Sequence, residues 1–89
     1  MNIFILDGAC MTDITETHRY LAKILRLPGY YGENLDALYD CLTEFDKDSL
    51  ILIMNREAIN ANLGEYGDKL LDTFCGAAQE EDAFILHIR

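Results

Sequence analysis

Length, composition and charge already exclude several classes of protein. The chain has 89 residues, of which 51% are hydrophobic and 26% charged, so we expect one folded domain spanning residues 1–89 rather than a disordered segment. Its 16 Asp and Glu residues against seven Lys and Arg give a net charge of −9. Such a chain is repelled by polyanions, which disfavours direct binding to nucleic acid or an anionic membrane and favours a basic protein partner.

The first predicted element is a buried strand. Residues 3–6 form a continuous apolar run that ends at a turn formed by Asp7 and Gly8. No basic segment precedes this run, so we do not expect a signal peptide, and no apolar run in the chain is long enough to span a bilayer. The cysteines follow neither a CxxC nor a zinc-site spacing, so we expect reduced thiols in the cytoplasm.

A helix is predicted next. From Asp13 onward the apolar residues recur with the period of a helix, and Asp13 and Glu16 form a cap pair at its start. Pro28 and Gly29 are expected to end it. His18 falls on the apolar side, where a histidine is more often a core residue with satisfied hydrogen bonds than a ligand. The apolar stripe consists of Ile14, His18, Leu21, Ile24 and Leu25.

The remaining elements complete an α/β pattern. A loop at residues 30–32 precedes a second helix, which is expected to begin at residue 33 or 34 and run to about residue 44. A buried strand follows at residues 50–54, and then a short helix at 56–63 that Asn55 caps and Gly64 closes. The last two predicted elements are a helix at about 68–81 and a buried strand at 83–88. Alternating strands and helices predict an α/β fold, a small three-stranded parallel sheet packed with about four helices.

The second helix carries an unusual charge pattern. Its acidic residues lie on one side at spacings of i, i+3, i+7 and i+11, and no basic residue occurs between Arg26 and Lys47. Like charges one turn apart destabilise a helix slightly, and a face selected for stability alone would interleave lysines. We therefore interpret the stripe as a binding surface, in which a carboxylate takes the place of a substrate phosphate in a basic pocket. The stripe consists of Glu33, Asp36, Asp40 and Glu44, with Tyr39 at its flank.

The segment from residue 27 to residue 43, LPGYYGENLDALYDCLT, resembles the barstar family of intracellular inhibitors of a secreted bacterial ribonuclease. The rest of the chain is similar to that family in the order of its elements, and His18 also fits the family pattern. The resemblance implies a cytoplasmic bacterial immunity protein without enzymatic activity or cofactor. Its second helix and the preceding loop would block the active site of a barnase-like, guanyl-specific ribonuclease in a one-to-one complex with a monomeric inhibitor.

The same resemblance implies which residues contact the partner. Asp40 would be the main phosphate mimic, facing the arginines and the catalytic histidine of the enzyme, and Asp36 would pair with a second basic group. The other residues implied at the interface are Tyr30, Gly32, Asn34, Leu35, Tyr39, Thr43, Glu44 and Phe45.

Several positions depart from the family pattern. Tyr39 and Phe45 stand where family members often have tryptophan, and Glu44 stands where a small residue is usual. Gly76 occupies the position of an acidic partner contact in the last long helix, and the residues alone give no reason for a glycine there. We expect these departures to affect the identity of the target more than the mode of binding. Replacement of Glu80 is expected to change binding little.

Other interpretations of the acidic helix remain open. Asp36 and Asp40 could act as a general acid and base, although no nucleophile with its base and no glycine-rich phosphate loop accompanies them. Asp36, Asp40 and Glu44 could bind a divalent cation, but a straight helix cannot surround an ion. A barstar-like domain could also bind another basic partner, such as a different nuclease toxin, because the same charges would serve both.

Overall fold

Three strands and four helices make up the fold of this chain, in a computed structural model that describes residues 1–89. This confirms the predicted α/β class. The elements in chain order are β1 (Asn2–Asp7), a 3-10 turn (Gly8–Cys10), α1 (Ile14–Ile24), α2 (Leu35–Thr43), β2 (Ser49–Met54), α3 (Arg56–Leu63), α4 (Glu65–Ala78) and β3 (Ile85–Ile88).

The strands form one parallel sheet in the order β1–β2–β3, with β2 in the centre. Leu6, Ile53 and Ile88 lie side by side across this sheet. Leu6 and Ile53 are completely buried, as is Ile51 two residues before Ile53. Because alternate residues of a strand point to the same side, these positions define the face on which the core is built.

The other face of the sheet is open. Ile3 is 63% exposed, and Ile5 and Ile85 are each 52% exposed. His87 is also exposed on this face. The prediction of fully buried strands was therefore wrong for one face of the sheet, because all four helices contribute their buried side chains to the opposite face.

The helices close the core around the covered face. α2 contributes Leu38 and Leu42, and α4 contributes Leu70 and Phe74, all of which are essentially inaccessible to solvent. α2 and α4 pack directly on each other. The buried side of α2 is thus fixed against α4, and its opposite side faces solvent.

The end of α1 differs from the prediction. The helix stops at Ile24, before Pro28 and Gly29, because Arg26 adopts a left-handed conformation with φ of 55°. The Leu27 amide then donates to the Ala22 carbonyl at 3.0 Å, which closes the helix with a Schellman motif.

The start of α1 is partly as predicted. The Asp13 carboxylate accepts a hydrogen bond from the Glu16 amide at 2.8 Å, which confirms Asp13 as the cap. Glu16 does not complete the pair, since its carboxylate binds Arg19 instead. Ile14 is 47% exposed and does not belong to the core stripe, because it lies in the first turn, beyond the edge of the core.

The boundaries of α3 and α4 are set by the turn between them. Gly64 closes α3 as predicted, and its φ of 58° and ψ of −133° suit a residue without a Cβ. The sharp turn at Gly64 lets α4 begin at once with Glu65, so α4 lies about three residues earlier than predicted. Asn55 precedes α3, but its side chain donates to the Asp7 carboxylate at 2.8 Å instead of capping the helix.

A buried histidine joins three segments of the chain. His18 on α1 is fully buried, with Nδ1 2.5 Å from the Tyr31 hydroxyl and Nε2 2.6 Å from the Tyr66 hydroxyl. A neutral imidazole donates from one nitrogen and accepts at the other, so it can bond to both hydroxyls. Burial lowers the pKa of His18, against an opposing effect of the Glu33 charge. The structure confirms the prediction of a core histidine, and it attaches the loop before α2 to α1 and α4.

The two faces of the sheet give a stability prediction. Ile53→Ala is expected to lower the free energy of unfolding by about 2–5 kcal/mol, because it leaves a cavity in the core. Ile5→Ala removes a half-exposed side chain and is expected to cost less than about 1 kcal/mol. Urea unfolding of both variants checks this. Equal losses would mean that the open face is covered in solution.

The buried imidazole predicts a pH dependence of stability. Because the pKa of His18 is lower in the folded chain than its ordinary value of 6.5, the unfolded chain binds the proton more readily. The stability that the neutral ring contributes is present above pH 6.5 and is lost as the pH falls through 6.5 toward the folded pKa. His18→Gln is expected to flatten this part of the curve of unfolding free energy against pH.

The matched control for this measurement is His87→Gln, which replaces the exposed histidine on the open face of the sheet. It is expected to keep the wild-type slope that is assigned to His18, because the buried ring and its two tyrosine partners remain in place. The same slope in His18→Gln and the wild type would contradict the assignment.

Candidate protein-binding site

The helix that carries the acidic residues begins at Asn34. The Asn34 side-chain oxygen accepts a hydrogen bond from the Ala37 amide at 2.8 Å, and its side-chain nitrogen donates to the Gly32 carbonyl at 3.2 Å. A cap of this kind is typically worth about 1 kcal/mol. Asn34 therefore fixes both the start of α2 and the loop in front of it, and Gly32 and Asn34 are both exposed beside the acidic residues.

Only some residues of the predicted acidic stripe lie on α2. Glu33 lies before the cap with a left-handed φ of 53°, so its inclusion in a helical stripe was wrong. Asp36 and Asp40 lie within α2, and Glu44 is its C-cap residue. These three side chains are exposed. The left-handed turn at Glu33 changes the direction of the chain just ahead of the helix and separates Glu33 from the stripe.

The three remaining carboxylates have no ion pair within the chain. The ion pairs that do form join the N-terminal amine to Asp48, Arg19 to Glu16 and Lys47 to Asp82, all at the surface. Lys69 on α4 lines the same shallow recess as Asp36, but the two are not within ion-pair distance. The tertiary structure thus supplies no direct counter-charge to Asp36, Asp40 or Glu44.

A cleft of about 330 Å³ adjoins the acidic face. It lies between the segment after α1 and the C-terminal part of α2, with Asp40, Glu44 and Asp46 contributing carboxylates to its lining. Arg26 is the one basic residue in the lining. Asp46 was not among the predicted site residues, because it lies beyond the helix, where no periodic pattern applies.

Two neighbouring tyrosines in the loop before α2 point in opposite directions. Tyr30 is 86% exposed and borders the cleft. Tyr31 is half-buried and bonds to His18, and burial raises the pKa of its hydroxyl. The loop thus presents Tyr30 to solvent, as expected of a partner contact, while Tyr31 anchors it.

Three other residues predicted to contact the partner make contacts within the protein. Phe45 is half-buried and packs edge-to-face on Phe4 and Phe84, with ring centroids 5.2 and 6.0 Å apart, while also lining the cleft. The Thr43 hydroxyl donates to the Asp40 carbonyl at 2.8 Å. Leu35 is half-buried in the recess beside Lys69, away from the cleft. The structure therefore places Phe45 and Thr43 near Asp40. Leu35 lies at the other end of α2.

Tyr39 is engaged with a residue from outside α2. Its hydroxyl donates to the Glu80 carboxylate at 2.5 Å, and this hydrogen bond raises the pKa of Tyr39. Glu80 lies two residues beyond the end of α4. It is thus joined to a predicted interface residue, because the packing of α2 on α4 brings the two together, and the small effect expected for its replacement stays a prediction.

One alternative interpretation of the acidic helix was a site for a divalent cation. No group of three or more His, Cys, Asp or Glu side chains is arranged to hold a metal ion. Cys10, Cys41 and Cys75 are all free thiols. Among the helices, none combines the length and apolar character needed to cross a membrane. The acidic side of α2 is thus exposed and without ion pairs, and it lies beside a cleft that Tyr30 and Phe45 border.

The chain is similar to known proteins over nearly its whole length. Residues 1–88 match the family model Barstar, described as barnase inhibitor. The chain is also similar to YrdF of Bacillus subtilis (strain 168), whose name describes it as a candidate ribonuclease inhibitor. The two are 40% identical over 81 residues, which cover 90% of this chain and 89% of the Bacillus protein. The chain belongs to the barstar family.

Proposed function

We propose that this protein is a ribonuclease inhibitor that blocks the active site of a barnase-like, guanyl-specific enzyme with α2 and the loop before it. The observation that carries the proposal is the exposed row of Asp36, Asp40 and Glu44, which has no ion pair within the chain. A ribonuclease active site holds cations for the phosphates of RNA. A carboxylate on a rigid helix can occupy such a phosphate position without offering a bond to cleave.

Electrostatics favour this complex at two ranges. The net charge of −9 steers a basic enzyme toward the inhibitor during diffusion, an effect that salt weakens. At contact, Asp36 and Asp40 are free to accept hydrogen bonds from arginine or lysine, because no internal ion pair has to be broken first. The Asn34 cap holds the helix in place before binding, which reduces the entropy lost in the complex.

The cleft gives the partner a second point of attachment. Its lining carries the carboxylates of Asp40, Glu44 and Asp46, and Tyr30 and Phe45 border it. A cationic side chain of the nuclease fits this chemistry, since carboxylates pair with the charge and an aromatic ring can stack on it. Arg26 in the same lining would repel a cation, so the cation is expected to approach from the side of α2, where the carboxylates lie.

The biological role follows from the mode of binding. We propose that the protein acts in the bacterial cytoplasm as a monomer, forms a one-to-one complex with a basic ribonuclease toxin, and protects its host as an immunity protein. It binds the enzyme and not the RNA, because its acidic surface repels a polyanion. It supplies no catalytic group and requires no cofactor for this role.

The test is inhibition of RNA cleavage by a barnase-like, guanyl-specific ribonuclease. Wild-type protein is expected to inhibit with one-to-one stoichiometry. Asp40→Ala is expected to weaken binding by about 2–5 kcal/mol, because it leaves cations of the enzyme buried and unpaired. The barnase–barstar complex is itself the standard example of such charge pairs, so this expected loss of binding free energy comes from a complex of the same family.

Glu57→Ala is the matched control, because it removes one negative charge from an exposed position on α3, outside the site. It should bind about as well as the wild type. Equal weakening by Asp40→Ala and Glu57→Ala would show that net charge alone matters and would contradict the assigned face. No inhibition by a large excess of wild-type protein would contradict the barnase-like target.

A further inference from the structure

The contact between Tyr39 and Glu80 joins two elements at the edge of the proposed binding surface. Tyr39 lies in the middle of α2, on the turn that also carries Asp36 and Asp40, and it is half-buried. Glu80 lies beyond the end of α4 and is otherwise exposed. The Tyr39 hydroxyl donates to the Glu80 carboxylate at an O···O distance of 2.5 Å. No other hydrogen bond or ion pair to the Glu80 side chain occurs in the chain.

The Tyr39 ring crosses α4 at Gly76. A Cβ at Gly76 would lie 3.6 Å from Cε1 of that ring, which is ordinary van der Waals contact, so the ring passes directly over this position. A glycine within a helix costs about 1 kcal/mol relative to alanine. The glycine that the sequence left unexplained therefore lies where the aromatic ring passes over α4 to reach Glu80.

We propose that Glu80 is a positioning residue for the inhibitor surface: it holds the Tyr39 ring over Gly76, and so presents a fixed aromatic surface to the ribonuclease beside Asp36 and Asp40. This inference rests on the proposed function, and it assigns Glu80 an effect through Tyr39 instead of a direct contact with the partner. Because the hydroxyl is already bonded to Glu80, the partner meets the ring of Tyr39 and not its hydrogen-bond donor.

Holding the ring before binding has a measurable consequence. An aromatic side chain that is already fixed loses less conformational freedom when the complex forms. Releasing it by removing either end of the hydrogen bond is expected to weaken binding by about two- to tenfold. The two removals should have the same effect, because each breaks the same contact.

The first measurement examines the contact in the free protein. Ultraviolet titration of the tyrosines in the wild type, with Tyr39→Phe identifying the contribution of Tyr39, should show a pKa above its ordinary value of 10.0. In Glu80→Ala this pKa should fall, and in the matched control Glu81→Ala, which removes the same charge one residue away, it should stay raised. A Tyr39 pKa that is the same in Glu80→Ala and the wild type would overturn the inference.

The second measurement examines binding to the barnase-like ribonuclease in a double-mutant cycle. Tyr39→Phe and Glu80→Ala should each raise Kd, and the double variant should bind no more weakly than the weaker single variant. Glu80→Gln keeps an acceptor for the hydroxyl and should recover part of the loss. Glu81→Ala should bind like the wild type.

Two outcomes of the cycle overturn the positioning role. Multiplied effects in the double variant would mean that Glu80 acts on the partner independently of Tyr39, and unchanged Kd in both single variants would mean that the contact does not support binding. Asp40→Ala, measured in parallel, separates this failure from that of the proposed function. If only Asp40→Ala releases the enzyme, the positioning role alone fails; if the wild type itself does not bind, the proposed function fails and the positioning role with it.

Discussion

The buried side chains of all four helices join one core on the same face of the parallel sheet, and this one-sided arrangement determines what the rest of the surface can be. The molecule measures 32 × 28 × 19 Å, so its shortest dimension accommodates one layer of strands and one of helices. Each helix must then bury one side and leave the other in solvent. For α2 the buried side is set by Leu38 and Leu42, which leaves Asp36 and Asp40 outward as a surface on a rigid support.

The charges on that surface do not favour the stability of the helix that carries them. Acidic residues one turn apart oppose helix formation by a few tenths of a kcal/mol, and Glu44 lies at the negative end of the helix dipole. The chain does form ion pairs, but they lie elsewhere. For the proposed binding surface this arrangement has one consequence: no internal counter-charge has to be displaced when a partner binds.

The proposed binding surface is also supported by contacts on its flanks. The His18 ring bonds to Tyr31 at the base of the loop and to Tyr66 on α4, which ties the loop to two helices. At the other side of α2, Glu80 holds Tyr39. These contacts give the acidic helix fixed neighbours at both flanks. The histidine also makes stability depend on pH, because burial favours its neutral ring over the protonated one.

The sequence by itself determined the types of element, their order, the core histidine, and the placement of Asp36 and Asp40 on one helix face, because periodicity and capping are local properties of neighbouring residues. Only the tertiary structure decided that one face of the sheet is open, that Tyr30 points outward and Tyr31 inward, and that Asp46 joins the cleft. It also decided the contact between Tyr39 and Glu80 and the passage of the Tyr39 ring over Gly76. Each of these depends on how segments far apart in the chain pack together, and no local pattern of residues encodes that packing.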